Sequence, residues 1–147
     1  MENALFACPA CWEALLPAGV VPLRFASEMA KKPWELLALT PEGCRRLGNG
    51  TIRCRALLVP GECRGELLEH VEAQSVVTYG LSPRDSLTFS SLTEPVLCVQ
   101  RALPRPDGGV VEPQEYPLPP LLKPAELLPL LGLWLLQMPL TEHPFPW

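Results

Sequence analysis

The chain has 147 residues, of which 48% are hydrophobic and 19% charged; this fits one domain with a real core and excludes a disordered polyelectrolyte. The formal net charge of -4 provides no basic surface for a phosphate backbone, so we expect no nucleic-acid binding. The 19 prolines are far above the usual share of roughly 5%, and they predict short elements joined by stiff loops.

Residues 1–50 favour short helices and irregular segments. The apolar stretch 11–16 predicts a helix of one or two turns, and 20–25 predicts a short extended run. Pro33 suits the first turn of a helix, so we expect a helix over 33–39. Thr40 followed by Pro41 is typical of an N-cap and a first helical position, which predicts a further helix from there to residue 47.

The pattern changes to alternating strands and helices after residue 51. The apolar run 52–59 predicts a central strand, and 75–79 predicts a second buried strand. Between them, residues 65–73 have apolar side chains at helical spacing. A helix between two apolar strands indicates a βαβ unit, so we expect these two strands to be parallel.

The next segment predicts short strands and a hairpin. Residues 86–92 and 96–103 alternate as strands do, and Asp107-Gly108-Gly109 is a strong turn sequence. Residues 110–118 would be the return strand. Its two prolines lack the N–H that a strand ladder needs, so this strand should lie at an edge of the sheet.

The last predicted helix begins near Pro124 and is apolar on all sides. Such a helix is buried, or covered by a partner, and Pro129 should kink it or delay its start. We expect a possible homo-oligomer that forms through this C-terminal helix. Although the window 118–140 is very apolar, its prolines and two charged residues argue against a membrane span, which needs about 20 apolar residues.

Together these elements predict an α/β fold. It would have a small mixed sheet with a βαβ unit and a β-hairpin, N-terminal helices and an apolar C-terminal helix. We expect a single domain over 1–147, with a helical part at 1–50, an α/β core at 51–138 and a tail at 139–147. Residues 1–4 contain no positive charge ahead of an apolar run, which predicts no secretory signal, a cytoplasmic location and six cysteines kept as thiols.

Three segments in order resemble a known family. They are Arg-Ala-Leu-Leu-Val-Pro-Gly-Glu at 55–62, Val-Val-Thr-Tyr-Gly-Leu-Ser at 76–82, and the short-strand section 85–111. In these segments the chain resembles the closing part of the central domain of the Mur ligases, the ATP-dependent enzymes that add amino acids to peptidoglycan precursors. The helix at 124–137 takes the place of a helix in that family, and the resemblance covers just over half of the chain.

The chain departs from the family where ATP would bind. It contains no Gly-x-x-x-x-Gly-Lys, so the lysine and the backbone amides that cradle a triphosphate are absent from the sequence. The acidic turn of the family is reduced to Glu62. The resemblance therefore implies a related fold fragment without the ATP site and without a cofactor. We interpret the chain as a non-catalytic binding or assembly protein.

Four polar residues follow the two predicted parallel strands. Glu62 comes after the first strand, and Ser82, Arg84 and Asp85 come after the second. Ligands bind open α/β sheets at the carboxyl ends of their strands, so these side chains are the candidate ligand-binding residues. The alternative is an ordinary turn in which Arg84 and Asp85 are solvated.

Cys8-Pro9-Ala10-Cys11 is the sharpest local motif. A Cys-x-x-Cys pair serves thiol-redox proteins when it opens a helix after a strand, and it supplies two zinc ligands at the spacing of a zinc knuckle. Zinc would need two more ligands, for which Cys44, Cys54, Cys63 and His70 are the candidates. A zinc or redox protein is therefore the alternative function, and two buried structural thiols are the plainer interpretation.

Overall fold

The computed structural model describes residues 1–63, 65, 69–137 and 144–146. Ten strands are present: β1 (Glu2–Phe6), β2 (Val20–Leu23), β3 (Trp34–Leu39), β4 (Ile52–Pro60), β5 (Val71–Tyr79), β6 (Leu87–Ser91), β7 (Val96–Val99), β8 (Leu103–Pro104), β9 (Val110–Val111) and β10 (Gln114–Pro117). Eight of them form one sheet in the order β10-β7-β6-β5-β4-β3-β1-β2, and β8 and β9 form a separate hairpin.

Most of the sheet is parallel. Strands β2, β1, β3, β4, β5 and β6 run in one direction, and β7 is antiparallel to both of its neighbours, β6 and β10. The carboxyl ends of β1, β3, β4 and β5 consequently meet at one edge, which we call the carboxyl edge. The predicted mixed α/β fold with a hairpin and a C-terminal helix is confirmed.

Helical segments are short apart from the last one. Those whose bounds lie within the described residues are the 3₁₀ helices Ala10–Leu15, Gly61–Cys63 and Pro124–Leu127, and the α-helices α1 (Ala26–Met29), α2 (Pro41–Arg45) and α3 (Leu128–Gln137). Thr40 caps α2 as expected, because its hydroxyl oxygen accepts a hydrogen bond from the Gly43 N–H at 3.1 Å. Pro129 delays the regular α-helix, which starts only after a 3₁₀ turn. In the part of the chain that the structure describes, no helix has the length and apolar character that crossing a membrane requires.

The sheet separates two apolar cores. Helix α3 covers one face, where Leu131 and Leu133 pack with Leu36, Leu58 and Leu87. The opposite face buries Phe6, Leu37, Leu39, Leu57 and Met29, and it is closed by α1, α2 and the loops around them. Alternate residues of β3 and β4 thus enter different cores, which explains why these two strands are apolar along most of their length.

The leucines of α3 are buried against the sheet of their own chain. Leu130, Leu131 and Leu133 are fully inaccessible to solvent. The helix lies so close to the sheet that a Cβ atom at Gly132 would come within 2.6 Å of Leu58 Cδ2. Trp134 is partly exposed, and its indole N–H donates to the Leu15 carbonyl at 2.9 Å. Self-association through this helix stays a prediction, and a second copy would have to use the side that carries Trp134.

One predicted helix is wrong. Trp34–Leu39 form the interior strand β3, and the N-terminal part, predicted to be helical apart from the extended run 20–25, supplies three strands of the sheet, of which β2 lies within that run. The run Trp-Glu-Leu-Leu-Ala-Leu has no polar face, because both of its sides are buried by the two cores. Such a continuous apolar run fits a helix and a central strand equally well by periodicity. Strand β1 was not predicted at all.

The remaining strands follow the prediction more closely. β4 and β5 are parallel, paired from Ile52 opposite Val71 to Pro60 opposite Tyr79. The helix expected over 65–73 is wrong at its end, since β5 begins at Val71, and residues 64 and 66–68 lie outside the described part. The return strand expected over 110–118 is split in two: β9 pairs with β8 in the separate hairpin, and β10 pairs with β7 at the edge of the large sheet, where its prolines predicted an edge strand. Most of the predicted tail, 139–143 and 147, also lies outside the described residues, as does residue 138 at the end of the predicted core.

Candidate functional site

A cavity of about 590 Å³ opens at the carboxyl edge of the sheet. All four residues predicted from the sequence line it: Glu62, Ser82, Arg84 and Asp85. The rest of its wall comes from Pro41, Pro60, Gly61, Tyr79, Gly80, Leu81, Ala125 and Leu128. The cavity therefore lies where β3, β4 and β5 end, and the beginning of the C-terminal helical segment forms one side of it.

Asp85 is the organising residue of the loop that follows β5. It is only 5% exposed. Its Oδ2 accepts a hydrogen bond from the Ser82 N–H at 3.1 Å, and its own N–H donates to the Ser82 carbonyl at 3.0 Å. The carboxylate lies against the backbones of Gly61 and Gly80, where a Cβ atom at either glycine would overlap with it. Asp85 thus holds the ends of β4 and β5 together, and the idea that it is solvated is wrong.

The same loop is braced by two side chains of the segment that directly follows β7. The Gln100 side-chain amide donates to the Asp85 carbonyl at 2.5 Å. Arg101 donates to the carbonyls of Arg84, at 2.6 Å, and Pro83, at 3.2 Å. These contacts fix the backbone of residues 82–85 before any ligand arrives. A site that is already ordered avoids part of the entropy cost of binding.

Three polar side chains are exposed on the wall of the cavity. Glu62 and Arg84 provide charges of opposite sign, and Ser82 provides a hydroxyl group. The Ser82 oxygen accepts from the Arg84 N–H at 3.2 Å, which leaves its proton available to donate. The wall can therefore offer a cation, an anion and a hydroxyl donor to a small molecule, beside the apolar surface of Leu81 and Leu128.

Tyr79 forms the buried floor. Its hydroxyl group donates to the Leu39 carbonyl at 2.7 Å, across the end of β3. Burial raises the pKa of Tyr79, and the nearby Cys44, Cys63 and Glu62 raise the pKa further. The phenol therefore stays protonated at neutral pH and serves as a structural donor. It is not available as a base.

The Cys8 and Cys11 motif lies elsewhere, after β1. Burial raises the pKa of the Cys8 thiol to about 11, with smaller contributions from Glu13 and Cys11. This is opposite to the lowered pKa of the attacking thiol in a Cys-x-x-Cys oxidoreductase. Within the described residues, no group of three or more histidine, cysteine or acidic side chains is placed to hold a metal ion. The structure thus adds no support to the zinc or redox alternative.

A second cavity, of about 470 Å³, lies at the opposite edge of the sheet. It is lined by residues at the beginnings of three strands, among them Trp34, Arg53 and Ala73. Parallel sheets rarely bind ligands at this end, because their functional loops follow the carboxyl ends of the strands. Residues of this second cavity therefore provide control positions for substitutions at the carboxyl edge.

The sequence did not predict the contribution of Pro41 or of the C-terminal segment to the cavity. Pro41 was expected to begin a helix, but the segment before it was not expected to be a strand, so its position at the carboxyl edge could not be inferred. Nothing in the local sequence indicates that Ala125 and Leu128 lie at the same edge. Comparisons with protein-family models, with curated proteins and with solved structures give no significant match. The resemblance to the Mur ligases accordingly stays a prediction.

Proposed function

We propose that the chain is a non-catalytic binding protein that holds a small polar molecule in the cavity at the carboxyl edge. The observation that carries the proposal is the convergence of Glu62, Ser82, Arg84 and Asp85 on one cavity wall. Asp85 positions the loop, and the exposed side chains of Arg84 and Ser82 can contact an anionic or carbonyl group of the ligand. Glu62 would select for a cationic or hydroxyl group on the same molecule.

The chemistry of the wall favours binding over catalysis. The Asp85 carboxylate is engaged in the loop, and the Tyr79 phenol is kept neutral by its raised pKa. General acid–base catalysis needs an acid and a base whose pKa values suit their roles. Asp85 and Tyr79 do not supply such a pair. We also propose that the fold is a relative of the Mur ligase central domain, because β4, β5 and the β6–β7 pair follow one another as the resemblance implies. Fold alone transfers no activity.

The test is a thermal-unfolding screen with four probe classes: nucleoside monophosphates, sugar phosphates, α-amino acids and inorganic phosphate. We expect at least one class to raise the melting temperature of the wild-type chain, because a ligand that binds only the folded state stabilises it. Arg84→Gln should abolish that shift. Arg53→Gln removes a matched charge at the opposite edge and should keep it. A shift that survives Arg84→Gln, or one that Arg53→Gln also abolishes, would contradict the proposal.

The assembly part of the proposal has its own test. Multi-angle light scattering at rising concentration would show a mass above the 16.2 kDa of one chain if copies associate. Because the leucines of α3 are buried, we expect Trp134→Ala to weaken such association. Phe25→Ala, an aromatic change at a 67% exposed position beside α1 on the opposite face of the sheet, should leave it intact. A strict monomer at all concentrations would remove the assembly proposal and leave the binding proposal standing.

A further inference from the structure

Two cysteines far apart in sequence are brought together by the parallel sheet. Cys44 lies on α2, which follows β3, and Cys63 ends the 3₁₀ helix Gly61–Cys63, which follows β4. β3 and β4 are hydrogen-bonded neighbours, so the segments that leave their carboxyl ends lie side by side. α2 also contacts β4 directly. The topology therefore places both thiols beneath the same edge of the sheet.

The two thiol groups lie against the same apolar core. Cys44 is 8% exposed and belongs to the apolar core under α2, and Cys63 is half-buried against that same core. The pKa of Cys44 is raised by burial first, then by the neighbouring Cys63 and by a hydrogen bond between the two side chains. Both cysteines also influence the pKa of Tyr79, which places the pair next to the floor of the cavity.

We propose that Cys44 and Cys63 are a dithiol site that forms a reversible disulfide bond with a small disulfide, such as oxidised glutathione, as the oxidant. The inference does not depend on a ligand in the cavity. It assigns a covalent modification to two residues that the sequence offered only as optional zinc ligands or as core residues.

The reaction proceeds by two thiol–disulfide exchanges. The Cys63 thiolate attacks one sulfur of oxidised glutathione, and the first glutathione thiolate leaves and takes up a proton. The Cys44 thiol then loses its proton and attacks the Cys63 sulfur, which expels the second glutathione. In sum the two protein thiols lose two electrons and two protons, and one oxidised glutathione becomes two reduced molecules.

Accessibility sets the order of the two steps. Cys63 is half-buried and can be reached by the oxidant, whereas Cys44 is enclosed and reacts only with its neighbour. The thiolate is the reacting species, so the raised pKa of Cys44 should make the second step slow at neutral pH and faster in mild alkali. Cys63 bound to glutathione should therefore accumulate before the disulfide bond closes.

The experiment is peptide mapping after oxidation of the intact, folded chain. The protein is treated with oxidised glutathione, quenched with acid, alkylated with N-ethylmaleimide and digested with trypsin without reduction. Cleavage after Lys31 and Arg45, and after Arg55 and residue 64, isolates Cys44 and Cys63 in the separate peptides 32–45 and 56–64. We expect these two peptides to appear as one disulfide-linked species that disappears after reduction.

The matched variants are Cys63→Ser and Cys98→Ser, since both cysteines are half-buried and free in the reduced chain. We expect the linked species to vanish in Cys63→Ser and to persist in Cys98→Ser. Cys44→Ala serves as the second variant if Cys63→Ser does not fold, and it should leave Cys63 as the mixed disulfide. The proposal is overturned if glutathione stays on Cys63 of the wild-type chain at every pH tested, or if Cys63 links to a different cysteine.

Discussion

Removal of the Asp85 carboxylate is the sharpest single perturbation of the carboxyl edge. In Asp85→Ala the Ser82 N–H loses its acceptor, and the contacts of the carboxylate with the Gly61 and Gly80 backbones are lost. Asp85 is 5% exposed, so water replaces the lost acceptor only in part. The Gln100 side-chain amide can still donate to the backbone carbonyl of residue 85, because the substitution leaves that carbonyl in place.

The expected cost follows from the kind of hydrogen bond that is removed. A hydrogen bond to a charged acceptor contributes about 1.5–3 kcal/mol, compared with about 1 kcal/mol for a neutral pair. Because Ser82 itself is exposed and its N–H regains some solvent, we expect the free energy of unfolding to fall by about 2 kcal/mol. The void between the two glycines would add to this loss.

Equilibrium unfolding in urea measures the effect, and Asp107→Ala is the matched control. Asp107 Oδ1 accepts from the Gly109 N–H at 2.8 Å, and Oδ2 pairs with Arg105 at 2.8 Å, but the Asp107 side chain is 57% exposed and Arg105 retains its contact with the Leu136 carbonyl at 3.5 Å. We expect its removal to cost less than about 1 kcal/mol, with the slope against urea unchanged in both variants. The reasoning is refuted if Asp85→Ala costs no more than Asp107→Ala.

Three further predictions concern packing, oxidation and pH. Gly132→Val should lower the free energy of unfolding by about 1–3 kcal/mol, measured in urea, because the new side chain meets the buried Leu58, and an unchanged stability would contradict the close packing of α3. Closing a disulfide bond between Cys44 and Cys63 should raise the urea midpoint by an amount equivalent to about 3 kcal/mol for a loop of roughly 20 residues, and the same midpoint in the oxidised and reduced chains would argue against it. Burial raises the pKa of Cys54 from its ordinary 9.0 to about 12, so the folded state retains a proton that the unfolded state loses in this window. Stability should therefore fall as pH rises above about 9, Cys54→Ala should make that fall shallower in urea titrations, and an identical pH profile for the two proteins would contradict the burial.

The paired strands β4 and β5 were predictable, apart from the beginning of β5, because their apolar runs end at turn residues. The run from Ile52 and the run ending at Tyr79 are bounded by turn residues, and the Asp107-Gly108-Gly109 turn fixes the hairpin. The four cavity residues were found for the same reason, since the rule about carboxyl ends needs only two adjacent parallel strands. The four cavity residues lie close together because β4 and β5 pair.

The first half could not be assigned correctly from local pattern. The run Trp34–Leu39 is apolar on both sides, and only the existence of a core on each face of the sheet decides between helix and strand. Because of that error, the neighbours of β3 in the sheet were not predicted. The proximity of Cys44 and Cys63 could not be predicted either, because it depends on β3 and β4 lying side by side. Likewise the place of Ala125 and Leu128 at the cavity is set by the docking of α3 and by no local signal.

The central claim is that the carboxyl edge binds a small polar molecule, and amide chemical-shift mapping tests it most directly. The ¹⁵N-labelled chain would be titrated with the probe class that gives the largest thermal shift. We expect concentration-dependent changes at Glu62, Ser82 and Arg84, with the amides of Trp34, Arg53 and Ala73 at the opposite edge unchanged. Changes confined to the opposite edge, or no saturable change at any of these amides, would contradict the account.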